Sequence, residues 1–262
     1  MELALRGKRA IVTGGGSNIG RAIVHALAEE GAHVVILDRD VPRAEATAEE
    51  ARGHGAASAR VLAVDLLDRA ASRDAMSAAI GALGGVDVFV ANVGANKPAF
   101  FLDTPEESWT RLIELNLMSC MTCTRAVLPP MIEQQRGAIV AIASTAAFGE
   151  PRQSVYAGAK AGVIGFIRSV AQEYGRYGIR ANLVAPGLVV PERSAIGEGS
   201  LWQDRESVMN DAQIDYVRKN TPLRRLSTAE DIARAVAFLA SDGASRQLTG
   251  QLITVAGGFS MR

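Results

Sequence analysis

Two chemically active side chains stand four residues apart in the segment YAGAK, residues 156–160. Tyr156 carries a phenol and Lys160 an ammonium, and only alanine and glycine separate them. In a helix, residues at this spacing lie on one face about one turn apart. A nearby cation lowers the pKa of a phenol, ordinarily about 10, by roughly 1 to 3 units. The pair therefore predicts proton transfer by Tyr156 assisted by Lys160, although a solvated pair on a helix surface has the same spacing.

A glycine-rich segment, TGGGSNIG at residues 13–20, follows an apolar run and opens an amphipathic helix. This order is the context that a dinucleotide-binding turn requires. One glycine would form the tight turn, the next residues would present backbone N–H groups to a pyrophosphate, and the last glycine would allow close helix packing. The pattern predicts that Gly14, Ser17, Asn18, Ile19 and Gly20 belong to the cofactor-binding site.

Asp38 ends the next apolar run, near the roughly 20-residue spacing at which an acidic side chain accepts a hydrogen bond from the adenosine 2′-hydroxyl. A carboxylate at that point repels a 2′-phosphate, so we expect NAD rather than NADP. Arg39 follows and would soften this rejection, but the glycine turn itself contains no basic residue. The alternative is that Asp38 is only a polar residue at a strand exit.

The charge balance argues against a polyanionic partner. Among 262 residues, 28 lysines and arginines face 28 aspartates and glutamates, so the basic patch of a nucleic-acid or membrane-surface binder is not expected. No apolar segment reaches the roughly 18 residues of a membrane span, which predicts a soluble, cytoplasmic protein acting on a small molecule. Cys120 and Cys123 form a CxxC without a second pair, which favours core packing over a metal or redox site.

Short runs of β-branched and other apolar residues recur along the whole chain. Runs without polar alternation are typical of a parallel sheet covered by helices on both faces. We therefore predict one Rossmann-type α/β domain over residues 1–262, with a doubly wound parallel sheet of about seven strands. The predicted strands are 9–13, 33–37, 60–64, 86–90, 138–142, 180–184 and 252–256.

Local signals place helix starts and one long loop. TPEE at 104–107 predicts a capping box from Thr104 to Glu107 with Pro105 in the first turn, and STAE at 227–230 predicts another from Ser227 to Glu230. Residues 187–222 contain no clear strand. A segment of this length in a compact domain is usually a functional loop or a pair of short lid helices.

Six motifs in register resemble the short-chain dehydrogenase/reductase family, over nearly the whole chain. TGGGSNIG is similar to the family's TGxxxGxG turn, ANVG (91–94) to its NNAG and NLMS (116–119) to its mid-helix asparagine motif. Ser144, YAGAK and the PG at 186–187 follow in the family's order. This chain departs from the family pattern at four positions. Asn18 stands in place of a glycine, Ala91 and Val93 alter the NNAG motif, and Pro191 stands where many members have a threonine. The interval from Ser144 to Tyr156 is also one residue shorter than usual, which would reshape the substrate side of the pocket.

The resemblance implies roles for individual residues. The catalytic set would be Asn116, Ser144, Tyr156 and Lys160: the serine holds the alcohol oxygen, the tyrosine transfers its proton, and the lysine also binds the nicotinamide ribose. Asn116 would interrupt its helix and hold a water linked to the lysine, or it would be an ordinary buried polar residue. Further cofactor contacts would come from Asp65, Asn92, Gly94, Pro186, Gly187 and Val189. Helices at about 105–133 and 154–177 would pair subunits into a homotetramer or dimer.

The predicted function is hydride transfer between NAD(H) and a secondary alcohol or ketone. One alternative within the family is an NADP-dependent ketone or 3-oxoacyl reductase. From other classes come a non-catalytic NAD-binding regulator, since fold alone does not fix function, and a lyase or epimerase using bound NAD. The presence of Ser144, Tyr156 and Lys160 argues against the regulator. The lack of a separate substrate domain argues against the lyase or epimerase.

Three cations suggest an anionic substrate. Lys97, Arg152 and Arg193 come from separate segments expected around the pocket, and an arginine fork would clamp a carboxylate, sulfonate or phosphate. The alternative is that all three are solvated or paired with nearby glutamates. The substrate would then be an apolar cyclic or aryl alcohol, with Phe148 and Trp202 as walls.

Overall fold

Seven parallel strands form the centre of the protein, in the order β3-β2-β1-β4-β5-β6-β7. The structure is a computed structural model that describes residues 3–191, 196, 201–204 and 208–261. The strands are β1 (Arg9–Thr13), β2 (His33–Asp38), β3 (Ser58–Ala63), β4 (Val88–Ala91), β5 (Gly137–Ile142), β6 (Ile179–Pro186) and β7 (Leu252–Val255). This order confirms the Rossmann-type doubly wound sheet.

Helices cover both faces of the sheet, as continuous apolar strands require. They are α1 (Asn18–Glu29), α2 (Val41–Gly53), α3 (Arg69–Leu83), α4 (Glu106–Ile113), α5 (Ser119–Glu133), α6 (Ser154–Tyr174), α7 (Asp211–Asn220), α8 (Ala229–Ala240) and α9 (Asp242–Ser245). Along β1, Ala10 and Val12 enter the apolar layer beneath α1, α2 and α8, whereas Ile11 enters the layer beneath α3, α5 and α6. Alternate residues of one strand thus supply two cores.

The order in which the strands are added to the sheet reverses between β1 and β4: β2 and β3 lie on one side of β1, and β4 to β7 lie on the other. Residues Ala10–Val12 pair with Val88–Val90 of β4, while β2 lies on the other side of β1. In an open α/β sheet, ligands bind outside the carboxyl ends of the strands at this reversal. The residues that follow β1 and β4 therefore face the crevice in which the fold places a ligand.

Both predicted capping boxes differ from those in the structure. Thr228 and Asp231, each one residue beyond the predicted pair, form the box that opens α8, and the Ser227 hydroxyl instead donates to the Val255 carbonyl at 2.9 Å. At α4 the N-cap is Pro105, without a side-chain cap. The Thr104 hydroxyl donates back to the Phe100 carbonyl at 2.9 Å, because residues 101–103 form a short 3-10 turn.

The long segment between β6 and α8 is partly described. It contains a 3-10 turn at Leu201–Asp204 and α7, which begins with a capping box between Asn210 and Gln213. No strand occurs in its described residues. Within the part of the chain that the structure covers, no helix is long and apolar enough to span a membrane.

Candidate active site

The glycine turn joins β1 to α1 under tight steric constraint. Gly14 has a φ of +66°, and a Cβ on Gly20 would lie 1.8 Å from the Gly14 carbonyl oxygen. Asn18 has a φ of +42°, which explains a departure from the family pattern, since asparagine tolerates the left-handed region better than most residues other than glycine. The turn therefore keeps its shape with Asn in place of Gly.

The start of α1 is suited to an anion. Ser17 is the N-cap residue, yet its side chain makes no capping hydrogen bond, and the first turn of α1 contains no acidic residue. The unpaired N–H groups and the positive end of the helix dipole are then available to a phosphate. Ile19, in the same turn, packs against the core beneath α1.

Asn92 fixes the turn from the neighbouring strand. Its side-chain amide donates to the carbonyls of Thr13 and Gly14, both at 3.0 Å, and its backbone N–H donates to the Thr13 hydroxyl at 3.0 Å. These bonds give Asn92 a direct role in shaping the turn, in addition to the cofactor contact predicted for it.

Asp38 is linked to the same turn from β2. Its carboxylate accepts from the Gly16 N–H at 2.8 Å and from the Asp40 N–H at 3.0 Å. A Cβ on Gly16 would lie 3.0 Å from that carboxylate, so glycine permits the close approach. A carboxylate thus lies beside the glycine turn, as the predicted role of Asp38 in cofactor selection requires.

The side chains of Ser144 and Tyr156 lie near each other beyond the end of β5, close enough for Ser144 to act on the pKa of the phenol. Ser144 precedes a 3-10 turn at Thr145–Phe148 and accepts from the Ala146 N–H at 3.1 Å. Burial raises the pKa of Tyr156 to about 12; the Ser144 hydrogen bond opposes this, and the charge of Glu150 reinforces it. The phenol is therefore protonated at neutral pH in this structure.

Lys160 lies beneath this pair. Its Nζ donates to the Ile142 carbonyl at 2.8 Å and lies 5.8 Å from the centre of the Tyr156 ring. The side chain is 2% exposed, and burial lowers its pKa to about 8. The direction of the Tyr156 pKa is opposite to the one expected from Lys160, because burial of the phenol is the largest influence on it.

Asn116 interrupts the helical segment that contains it. A π-helical turn at Glu114–Met118 separates α4 from α5. The Asn116 amide donates to the carbonyls of Ala95 and Leu112 at 2.8 and 2.9 Å, and its oxygen accepts from the Ala95 N–H at 3.2 Å. A Cβ on Gly94 would lie 2.6 Å from that oxygen and 2.9 Å from the Lys160 Nζ. Glycine at position 94 thus allows the asparagine and the lysine to approach the same backbone.

The chain has close relatives along its full length. The family model described as Enoyl-(Acyl carrier protein) reductase matches residues 14–260. The 3-oxoacyl-[acyl-carrier-protein] reductase FabG of Staphylococcus epidermidis is 36% identical over 256 residues, covering 97% of this chain and 99% of that protein. The (2S)-[(R)-hydroxy(phenyl)methyl]succinyl-CoA dehydrogenase subunit BbsD of Thauera aromatica is 35% identical over 263 residues, covering 99% of each.

The chain belongs to the short-chain dehydrogenase/reductase family. The crystal structure of levodione reductase, 31% identical, superimposes with a TM-score of 0.87 over 97% of this chain and 98% of that one. The protein is accordingly an oxidoreductase of a family that binds a nicotinamide dinucleotide. The resemblance drawn from its six motifs is confirmed.

The remaining predicted cofactor residues lie at or just after the carboxyl ends of β3 and β6. Asp65 follows β3, is exposed, and accepts from the Leu67 N–H at 3.0 Å. Pro186 ends β6, and the Gly187 N–H donates to the Val255 carbonyl at 3.0 Å. Val189 is buried in the layer beneath α1 and α8, so its side chain contributes to the core.

The predicted substrate residues that the structure describes differ in exposure and in position. Lys97 is exposed, and Phe148 is half-buried at the end of the 3-10 turn after Ser144. Arg152 is half-buried beside the segment that follows β4. Trp202 lies in the 3-10 turn of the long loop, and Arg193 lies outside the described residues.

A polar network on the substrate side was not predicted from the sequence. Glu150 accepts from the Thr145 hydroxyl at 3.1 Å and from the Gln153 amide at 2.7 Å, and Gln153 accepts from the Asn96 amide at 2.8 Å. These bonds connect the segment after β5 to the segment after β4. The only signal in the sequence was the position of Glu150 and Gln153 between Ser144 and Tyr156.

The two cysteines belong to the core. Cys120 and Cys123 are buried and free, and burial raises the pKa of Cys120 to about 11 and that of Cys123 to about 12. Both thiols are therefore protonated at neutral pH, which agrees with the packing role predicted for them.

Proposed function

We propose that this protein interconverts a ketone and a secondary alcohol on an acyl thioester, using NAD(H). The observation that carries the proposal is the proximity of Ser144 and Tyr156 beyond the carboxyl end of β5, with the Lys160 Nζ bonded to the Ile142 carbonyl and 5.8 Å from the centre of the Tyr156 ring. A hydroxyl and a phenol placed together can bind one substrate oxygen and transfer one proton to it.

The protonated phenol suits the reductive direction. Because the pKa of Tyr156 is raised to about 12, its hydroxyl is a proton donor at neutral pH. Ser144 would donate a hydrogen bond to the same carbonyl oxygen and orient it. Lys160, with its ammonium directed to the end of β5, would supply positive charge beneath the phenol as it loses its proton.

The described residues fit a nicotinamide dinucleotide, which when bound accepts or donates the hydride. The crowded glycine turn and the uncapped start of α1 would hold the pyrophosphate, through Gly14, Ser17, Asn18, Ile19 and Gly20. Asn92 and Gly94 would support the crevice, and Asp65, Pro186, Gly187 and Val189 would line its flanks. Lys160 would also contact the nicotinamide ribose.

The carboxylate of Asp38 supports NAD over NADP. It lies beside the turn and is fixed by two backbone N–H groups, so a 2′-phosphate would meet a negative charge that cannot easily move. The adjacent Arg39 is exposed, and an exposed charge in water compensates only weakly.

The relatives favour the 3-oxoacyl alternative over a simple secondary alcohol as the substrate class. FabG is named for a 3-oxoacyl group on acyl carrier protein, and BbsD is named for a hydroxy(phenyl)methyl succinyl group on coenzyme A. Both names describe an oxygenated carbon on a carrier-bound acyl chain. We therefore propose a 3-oxoacyl thioester as the substrate class.

A direct assay tests the proposal. Wild-type protein with NADH should reduce acetoacetyl-CoA, observed as loss of NADH absorbance, and Tyr156→Phe should lower kcat by at least about 100-fold while NADH still binds. Substantial turnover by Tyr156→Phe would refute the assignment of the proton donor. NADH binding without turnover of any ketone would favour the non-catalytic regulator.

A further inference from the structure

Arg152 occupies a backbone conformation that favours glycine. Its φ is +66°, and residues other than glycine adopt this region only at an energetic cost. If the backbone alone mattered at this position, glycine would be the better residue. The presence of arginine despite this energetic cost indicates that its side chain has a structural or functional role.

The arginine is fixed against the segment that follows β4. Its carbonyl accepts from the Ala99 N–H at 2.8 Å, its Nη2 donates to the Pro98 carbonyl at 3.4 Å, and its guanidinium carbon lies 5.9 Å from the centre of the Phe100 ring. Tyr156 is four residues further along the chain, so the two Cα atoms are at most about 14 Å apart. Arg152 thus belongs to the segment that joins Ser144 to Tyr156, and it is held against the segment that follows β4.

The described surroundings of Arg152 contain no acid that neutralises its positive charge. Among the described residues, no carboxylate lies within ion-pair distance of it, and the nearest in sequence, Glu150, is instead bonded to Thr145 and Gln153. Lys97, next to Pro98, is exposed and adds a second positive charge. Phe100 is 62% exposed and offers an apolar surface beside the guanidinium.

We propose that Arg152 determines specificity by binding a carboxylate on the acyl chain of the substrate, with Phe100 covering an adjacent apolar group. A guanidinium fork matches a carboxylate bidentately. A Cα separation from Tyr156 of at most about 14 Å fits an anion on the acyl chain better than one on a distant carrier phosphate. This inference rests on the proposed ketone reduction at the same site.

Matched ligands of equal size test the proposal. The probes are 3-benzoylpropionate, a keto acid, and 3-benzoylpropionamide, its neutral counterpart. In the presence of NADH, wild-type protein should bind the acid at least about 10-fold more tightly than the amide, measured by calorimetry. Arg152→Gly should weaken binding of the acid by about 10- to 100-fold and that of the amide by less than about threefold. Arg152→Lys should fall between, because it keeps the charge and loses the fork.

The melting temperature and a second arginine variant control for effects on folding. Glycine suits a positive φ, so Arg152→Gly should not lower the melting temperature. Arg224→Gly is the matched control, since Arg224 is an exposed arginine that also has a positive φ, of +56°; it should leave the preference for the acid unchanged.

The outcomes separate this inference from the proposed function. Equal binding of acid and amide by wild type, or equal losses in Arg152→Gly, would overturn the role of Arg152 even if acetoacetyl-CoA is reduced. A loss confined to acetoacetyl-CoA would assign Arg152 to a carrier phosphate and also overturn the proposal. Arg152-dependent binding of the acid without turnover of any ketone would instead refute the proposed function.

Discussion

The Nζ of Lys160 donates to the Ile142 carbonyl oxygen at 2.8 Å, which ties a 2% exposed ammonium to the end of β5. Burial lowers the pKa of Lys160 from 10.5 to about 8, so the folded chain binds this proton more weakly than the unfolded chain does. The free energy of unfolding then rises with pH between about 8 and 10.5, and the full penalty for burying the charge applies below pH 8. The lysine is thus destabilising at the pH at which it would function.

Lys160→Met should therefore stabilise the ligand-free protein while it abolishes turnover. At pH 7 the free energy of unfolding should rise by roughly 1 to 3 kcal/mol, because an apolar side chain of similar length replaces a buried charge. The gain should shrink at pH 10, where the wild-type penalty is largely gone. Urea unfolding at both pH values measures it, with the exposed Lys219→Met as control. Lower stability at pH 7, or a gain independent of pH, would contradict the argument.

The proton of Tyr156 should be retained well above neutral pH in the ligand-free protein. Burial raises the pKa of this phenol to about 12, and the charge of Glu150 contributes in the same direction. The ultraviolet difference between wild type and Tyr156→Phe should show no phenolate below about pH 10. Glu150→Gln should move the onset of phenolate absorbance to lower pH. A phenolate that forms between pH 6 and 8 in the free wild type would show that the expected effect of Lys160 dominates.

The sequence identified the fold because most strands are apolar on both faces, a pattern typical of a parallel sheet covered by helices. The sequence predicted the exact starts of the helices less well. The segment STAED contains two overlapping capping boxes, from Ser227 to Glu230 and from Thr228 to Asp231, and only the contact of Ser227 with Val255 selects the second. That contact joins residues distant in sequence, which local patterns do not record.

The candidate active site was also predicted only in part. Spacing and motif order identified Ser144, Tyr156 and Lys160, which the structure brings together. They did not reveal the Ile142 carbonyl as the partner of Lys160, nor the network of Glu150, Gln153 and Asn96, because each of these depends on packing between separate segments. The direction of the Tyr156 pKa depends on burial, which the pentapeptide alone does not give.

Asp38 should control the choice of cofactor through its charge. Asp38→Asn keeps an oxygen to accept from the Gly16 N–H and removes the repulsion of a 2′-phosphate, so NADPH should bind more tightly relative to NADH. Asp38→Ala also loses the bonds to the turn and should weaken NADH binding further. Fluorescence titration of both variants with NADH and NADPH measures the preference. A wild type that already prefers NADPH would show that this interpretation of Asp38 is wrong.

The protein should form dimers or tetramers in solution. Leu223, Phe259 and Met261 are 62, 41 and 81% exposed, and they follow α7 and the edge strand β7. Exposed apolar side chains of this size commonly mark an interface. Light scattering should give a multiple of the 27.6 kDa chain mass, and Met261→Glu combined with Leu223→Glu should lower it. A monomer at micromolar wild-type concentration would exclude the assembly.

Asp87 should account for part of the acid sensitivity of the fold. It lies between the amino ends of β1, β4 and β5, is 7% exposed, and accepts from the Arg9 Nε at 2.8 Å and from the Arg136 Nε at 3.1 Å. Burial alone would raise its pKa, but the hydrogen bonds and charge of Arg9, with a contribution from Arg136, outweigh burial and lower the pKa to about 2.

Because the folded pKa of Asp87 lies below the unfolded value of 3.8, its contribution is complete above about pH 4 and is lost as the pH falls to about 2. The difference corresponds to about 2 kcal/mol. Asp87→Asn should therefore unfold more easily at pH 7 and lose less stability between pH 4 and 2 than wild type does. Chemical unfolding across this range measures both effects, with the exposed Glu106→Gln as control. If Asp87→Asn keeps the wild-type dependence on pH, the acid sensitivity arises from other carboxylates, since the titration of Asp87 would then be the same in the folded and unfolded chains.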